Sequence, residues 1–177
     1  MGQNLRDSGA GSLGAGNHGA GESEQRAPVL AGRAPPRVKP SNYPPMFAER
    51  MAGRTKRPLG DLFELANFGV NLTTLAPGAA SALQHRHSKQ DEFVYVVSGE
   101  LTLVSGPDTY PMGAGMCVGF LASGASHHLE NRSSNDASYI EIGDRVAGDE
   151  VSYPADDLVA ERDGDAWRFT HKNGEPY

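Results

Sequence analysis

Cysteine is nearly absent from this sequence: Cys117 is the only one in 177 residues. That excludes a disulfide scaffold within the chain and any zinc site built on cysteine. Cys117 stands in the apolar run M-C-V-G-F (116–120), which predicts a buried structural thiol. Long apolar runs are also missing. The first forty residues hold no apolar stretch of signal-peptide length (about seven residues or more), so no secretory signal is expected. Nor does any segment approach a membrane span. Positive charge is scarce as well. The net charge is −6; residues 1–40 carry five basic and three acidic residues, leaving eleven basic against nineteen acidic beyond them. A globular part this acidic lacks the footprint of a nucleic-acid binder. The one basic cluster, R-M-A-G-R-T-K-R over 50–57, reads as a solvated loop. The expectation is a cytoplasmic protein with no nucleic-acid or membrane partner.

Gly, Ala, Ser and Pro dominate residues 1–40, and no apolar periodicity runs through them. Such a segment buries too little to offset its ordering entropy, so a disordered arm is expected, extended near Pro35 and Pro36. Residues 41–65 read as an extended lead-in. From Ala66 to Asp144 short β-prone runs alternate with Gly, Pro and Ser punctuation. Phe68, Val70 and Leu72 alternate as on a half-buried strand. Further runs cover 81–87, 93–97, 100–104, 109–112, 116–120, 127–131 and 138–143. Strands this short, with frequent turns, predict an all-β sandwich or barrel. Residues 145–177 are expected to form an irregular C-terminal arm, pinned to the barrel by Trp167, Phe169 and Tyr177.

What is present in concentrated form is a set of ligand-type side chains. His85 and His87 are separated by one residue and so point the same way on a strand. After four intervening residues, enough for a turn, Glu92 opens the next β-rich run. Two imidazoles and a carboxylate then fall within reach of one point, the donor set of a divalent transition metal. His127 supplies a third imidazole. With Glu92 facing inward, Val94 and Val96 line the interior too. With His127 inward, Leu129 and Asn131 follow, while His128 and Glu130 face out. A register slip of one residue would exchange His127 for His128. Asp91 is the lesser rival to Glu92.

The stretch Gly78–Asn131 resembles the cupin family. The first cupin motif is carried by Gly78, His85, His87, Glu92 and Gly99, with one extra residue after Gly78. The second is carried by Gly115, His127 and Asn131. Leu121 and Ser123 stand where Pro and Gly are usual, and one extra residue precedes His127. Over its length the chain is similar to small single-domain bacterial cupins with a Pro-rich N-terminal arm and a W-R-F-T-H-K-x-G-x-P-Y ending. The resemblance implies a double-stranded β-helix, or jelly-roll, barrel. It implies a divalent metal (Fe, Mn, Ni or Zn) on His85, His87, Glu92 and His127, and a homodimer.

Two function classes follow. The first is a metal-dependent enzyme on a small polar, carbohydrate- or carboxylate-like substrate, whether dioxygenase, isomerase or lyase. The second is a non-catalytic small-molecule-binding or sensing module. Within the expected barrel only Arg132 and Arg145 offer basic groups for a substrate anion, and both are expected at the rim. That counts against a sugar phosphate.

Overall fold

A computed structural model describes residues 26–39, 41–164 and 166–177. It contains twelve strands. The first seven are β1 (Arg54–Pro58), β2 (Phe68–Leu75), β3 (Arg86–His87), β4 (Glu92–Ser98), β5 (Glu100–Ser105), β6 (Asp108–Gly113) and β7 (Cys117–Phe120). The others are β8 (His127–Glu130), β9 (Ala137–Asp144), β10 (Glu150–Tyr153), β11 (Leu158–Asp163) and β12 (Ala166–Thr170). Two one-turn helices, α1 (Pro45–Ala48) and α2 (Leu59–Leu62), precede β2. No described helix is long and apolar enough to cross a membrane.

The strands form three antiparallel sheets, ordered β1-β2-β9-β4-β7, β6-β5-β8 and β12-β11-β10-β3. The first two face each other. Period-two alternation sends Val94 and Val96 of β4, Leu101 and Leu103 of β5, Leu129 of β8 and Tyr139 of β9 into one core. Burying each aliphatic side chain fully contributes about 1.5–3 kcal/mol. A second core lies under the third sheet, where Val151, Tyr153, Leu158 and Ala160 meet Phe47, Met51 and Leu83.

The turn between β4 and β5 depends on Gly99. Its φ is +76°, and a Cβ there would lie 2.7 Å from the Asp136 carbonyl oxygen and 2.8 Å from Ala137 Cα. A side chain at this position would be strained by φ and excluded by backbone.

Three expectations are corrected. Cys117 is exposed, because β7 directs Val118 and Phe120 inward and leaves Cys117 and Gly119 on the outer face. A run of apolar and small residues hid that alternation. The C-terminal segment forms the hairpins of β10, β11 and β12, in place of an irregular arm. Its acidic turn residues, Asp156 and Asp157, obscured the alternation of Val151 with Tyr153 and of Leu158 with Ala160. The strand expected over 81–87 enters a ladder only at Arg86–His87, since residues 81–84 bend to place Leu83 in the second core. His85 makes an isolated bridge to His127.

Of the expected disordered arm, residues 1–25 lie outside the described residues. Residues 34–39 run along the edge of β1. Arg37 N–H donates to the Lys56 carbonyl (2.8 Å), and Arg57 Nη1 donates to the Ala34 carbonyl (2.6 Å). Ala34 is buried. This strap covers an edge strand that would otherwise expose unpaired backbone groups.

Candidate metal centre

His85, just before β3, bridges His127 at the start of β8, and Glu92 opens β4 in the five-stranded sheet. His85 and His87 point to the same side, as their spacing requires. The ring Nε2 atoms of His85, His87 and His127 lie 3.5, 3.6 and 3.0 Å from one atom, Glu92 Oε2. The donor atoms of His85, His87 and Glu92 all fall within 4.8 Å of one another. An ion bonded at about 2.0–2.2 Å holds cis donors about 3 Å apart and trans donors about 4.2 Å apart. The donors of His85, His87 and Glu92 therefore need only a slight contraction to hold one ion, with His127 Nε2 beside the same carboxylate oxygen.

The second ring nitrogens supply the test of fit. His85 Nδ1 donates to the Leu83 carbonyl (2.9 Å) and His127 Nδ1 to the Ala125 carbonyl (3.3 Å). His87 Nδ1 donates to Asp149 Oδ2 (2.6 Å). Each Nδ1 thus carries a proton toward a fixed acceptor, so a neutral ring presents its Nε2 lone pair to a metal, while a charged ring donates from Nε2 to Glu92. The donor set and its orientation fit a divalent transition ion. Phe120 stacks on His127 with ring centroids 3.4 Å apart, closing one flank against water.

Electrostatics follow from this crowding. Burial opposes ionisation of Glu92, but hydrogen bonds from His127 and His85 and the nearby His85 and His87 charges outweigh it. They hold the carboxyl well below the usual carboxylate range. Burial also works against a charged His85, yet its contact with Glu92 raises it above an ordinary histidine. Burial prevails at His127 and pulls it down.

His128 lies on the other face of β8, where Nε2 pairs with Glu130 Oε1 at 2.9 Å. Asp91 accepts a hydrogen bond from the Ala122 N–H through Oδ1 (2.7 Å), as a turn residue would. Asp149 was not foreseen. It is fully buried and accepts from His87 Nδ1, Ser88 Oγ (3.2 Å) and the Lys89 N–H (2.8 Å). Sixty-two residues separate it from His87, and no local pattern marks it.

The four residues sit in a cavity of about 220 Å³, somewhat smaller than the usual ligand pocket of about 300–1,000 Å³. Its lining corrects the sequence reading of the basic residues. Arg132 pairs with Glu130, and Arg145 with Asp61. Neither lines the cavity. Arg37, Arg54 and Lys56 do. The stretch read as a solvated loop ends in β1, whose alternation turns Arg54 and Lys56 inward. The signal was present in R-T-K-R-P, but a basic inward face on a strand is legible only once the strand has a sheet to belong to.

The cupin domain family matches residues 71–143. A structure named as a sugar phosphate isomerase of the cupin superfamily, from Silicibacter pomeroyi, is 36% identical. The match covers 85% of this chain and 96% of that one, with a TM-score of 0.79. This chain belongs to the cupin superfamily. A sugar phosphate isomerase candidate from Acidithiobacillus ferrooxidans is 31% identical over 70% of this chain and 80% of that one, with a TM-score of 0.64. The polyketide cyclase RemF of Streptomyces resistomycificus, at 15% identity, covers 68% of this chain and 80% of its own, with a TM-score of 0.56, and shares the fold alone. No curated protein matches the chain. The three-sheet, all-antiparallel arrangement is thus the jelly-roll barrel of this cupin, with its His and Glu cluster inside the cavity.

Proposed function

We propose that His85, His87, Glu92 and His127 hold one divalent transition metal, and that this cupin is a metal-dependent enzyme acting on a small polar substrate. One observation carries the reading: three imidazoles aim Nε2 at one carboxylate oxygen while each Nδ1 is tied to an acceptor. Salt bridges built for stability have no need of three histidines on one oxygen. Fe, Mn, Ni and Zn all suit such a donor set. A bound ion would supply a Lewis acid for a substrate carbonyl or hydroxyl.

Within the enzyme reading we favour an aldose–ketose isomerase. Its support is the likeness to two structures above 30% identity, one named as a sugar phosphate isomerase and one as a candidate for that activity. Tyr43 and Tyr153 line the same cavity. Burial pushes both phenols up, so they keep their protons, and their hydroxyls bond to each other at the cavity wall. The test is interconversion of aldose and ketose phosphates by protein loaded with each metal in turn, followed by NMR. Turnover that disappears in His87→Ala supports the reading. Substrate-dependent oxygen uptake in place of isomerisation would replace it with a dioxygenase. Ligand-induced stabilisation without turnover would replace it with a sensing module.

We also infer pairing with a second copy through the outer face of the five-stranded sheet. Phe93, Tyr95 and Val97 there are 40–46% exposed, beside exposed Met116 and Cys117 on and next to β7. A contiguous apolar strip of this kind marks an interface in a soluble protein. Light scattering checks it: dimeric wild type and a monomeric Tyr95→Glu are expected, and a monomeric wild type refutes it.

A further inference from the structure

We propose that Arg37 and Arg54 form an anion subsite that receives the phosphoryl group of the substrate. The inference rests on the reading of the cavity as a substrate site and names the class of molecule it takes.

The cavity lining holds three fixed cations, Arg37, Arg54 and Lys56, against two carboxylates, Glu92 and Glu141. Glu141 is already paired with Lys56, and Glu92 is committed to the histidines. Any divalent ion on the tetrad makes the balance more positive still. A cavity charged in this way in a chain of net charge −6 is a local feature and not an overflow of the whole.

Arg37 is the telling residue. Its guanidinium makes no hydrogen bond or ion pair with the described residues, although the residue is half-buried. Burial and the charge of Arg54 both pull it down from its ordinary value, with Glu141 and Asp61 opposing. A desolvated guanidinium set beside another is electrostatically incomplete, and a planar fork of donors is suited to a phosphate. Arg37 is also held in place. The strap is tied to β1 at Ala34 and Arg37 by hydrogen bonds. Beyond it, buried Ser41 accepts from the Tyr43 N–H (3.1 Å), and Tyr43 packs edge-on against Tyr153 and Phe169.

A second polar group in the lining is left incomplete. Tyr139 is fully buried. Its hydroxyl lies toward Thr73 and Glu141 but makes no hydrogen bond of normal geometry with either. Buried polar groups without partners are rare, and a water or a ligand oxygen would complete this one. The cation group and the histidine cluster are close neighbours, for the charge of Glu141 acts on His85 and on Arg37 alike. A short substrate could place its phosphoryl group against the arginines and its reacting oxygens at the metal. The strap, which precedes the barrel, thus becomes the specificity element of the cavity.

Isothermal titration of the full chain with inorganic phosphate tests this, with acetate as a second titrant. The proteins are wild type, Arg37→Gln, Arg37→Lys and His87→Ala, each metal-free and metal-loaded. Arg37→Gln keeps the backbone bond to Lys56 and removes no side-chain bond, so the fold is retained. Phosphate is expected to bind metal-free wild type and to bind Arg37→Gln about tenfold or more weakly, as loss of a charged hydrogen-bond donor implies. Arg37→Lys is expected to recover part of the loss, and metal-free His87→Ala to match wild type. A change below about twofold in Arg37→Gln would overturn the subsite. Acetate binding as tightly as phosphate would overturn the phosphoryl assignment. Loss of metal in His87→Ala with phosphate binding intact supports both readings. A wild type that binds phosphate but no metal would sink the metalloenzyme and leave the subsite standing.

Discussion

Replacing Asp149 with Asn probes the least visible part of the metal centre. Both carboxylate oxygens of Asp149 accept hydrogen bonds. Oδ2 takes the His87 Nδ1 proton at 2.6 Å, and Oδ1 takes the Lys89 N–H at 2.8 Å and the Ser88 hydroxyl at 3.2 Å. Asn fills the same space but offers one acceptor and one donor. Whichever way the amide turns, one face now meets a donor with a donor. If the amide nitrogen faces His87, the ring must rotate or shift its proton to Nε2, and its lone pair no longer reaches the cluster. If it faces Lys89, the turn leading to Glu92 loses its anchor. Groups that orient a metal-bound histidine contribute about 10–100-fold in affinity, or about 1.4–2.8 kcal/mol. Metal-free stability should fall too, by about 1–3 kcal/mol for an unsatisfied buried donor. The assay is competition for metal against a chromophoric chelator, beside thermal unfolding of the metal-free proteins. An Asp149→Asn protein that is folded and binds metal as tightly as wild type would refute the role assigned to this carboxylate.

The remaining predictions concern single residues. His127→Ala should weaken metal binding, whereas His128→Ala, which removes a pair with Glu130 on the other face of β8, should leave metal content unchanged; metal analysis of the two purified variants separates them. In metal-free protein, Glu92→Gln should lower the His85 value, because the main opposition to burial is removed and only the Leu83 carbonyl and the Glu141 charge still favour the charged ring; NMR titration of the imidazole reads this directly. The sign for wild type follows: the His85 contribution to metal-free stability is fully present below pH 6.5 and is lost as pH rises through its raised folded value. Gly99→Ala should destabilise by more than about 2 kcal/mol through left-handed strain and the contact with the Asp136 carbonyl, measured by denaturant unfolding; a neutral result would mean that this turn can move.

Much of the barrel was legible because its strands obey a local rule. Val94 and Val96 alternate with exposed Phe93, Tyr95 and Val97, and Leu101 with Thr102, so each strand announces its buried face. The same rule placed His85 beside His87 and put His127 on one face of β8 with Leu129 and Asn131. It failed where small or polar residues diluted the alternation, as at Cys117 and across β10 to β12. Residues 34–39 gave no signal of any kind, for they dock through their own backbone groups, the Arg37 N–H on Lys56 and the Ala34 carbonyl under Arg57.

The sequence by itself determined the spacing of the ligands along the chain, the turn at Gly99 and the all-β pattern, because period two and allowed φ values are properties of neighbouring residues. Tertiary structure alone decided that Asp149 meets His87, that Arg54 and Lys56 turn into the cavity, and that Arg37 crosses a sheet edge to join them. Those contacts join segments tens of residues apart. Their energies come from burial and charge at a shared site, and that site exists only after the sheets have closed around it.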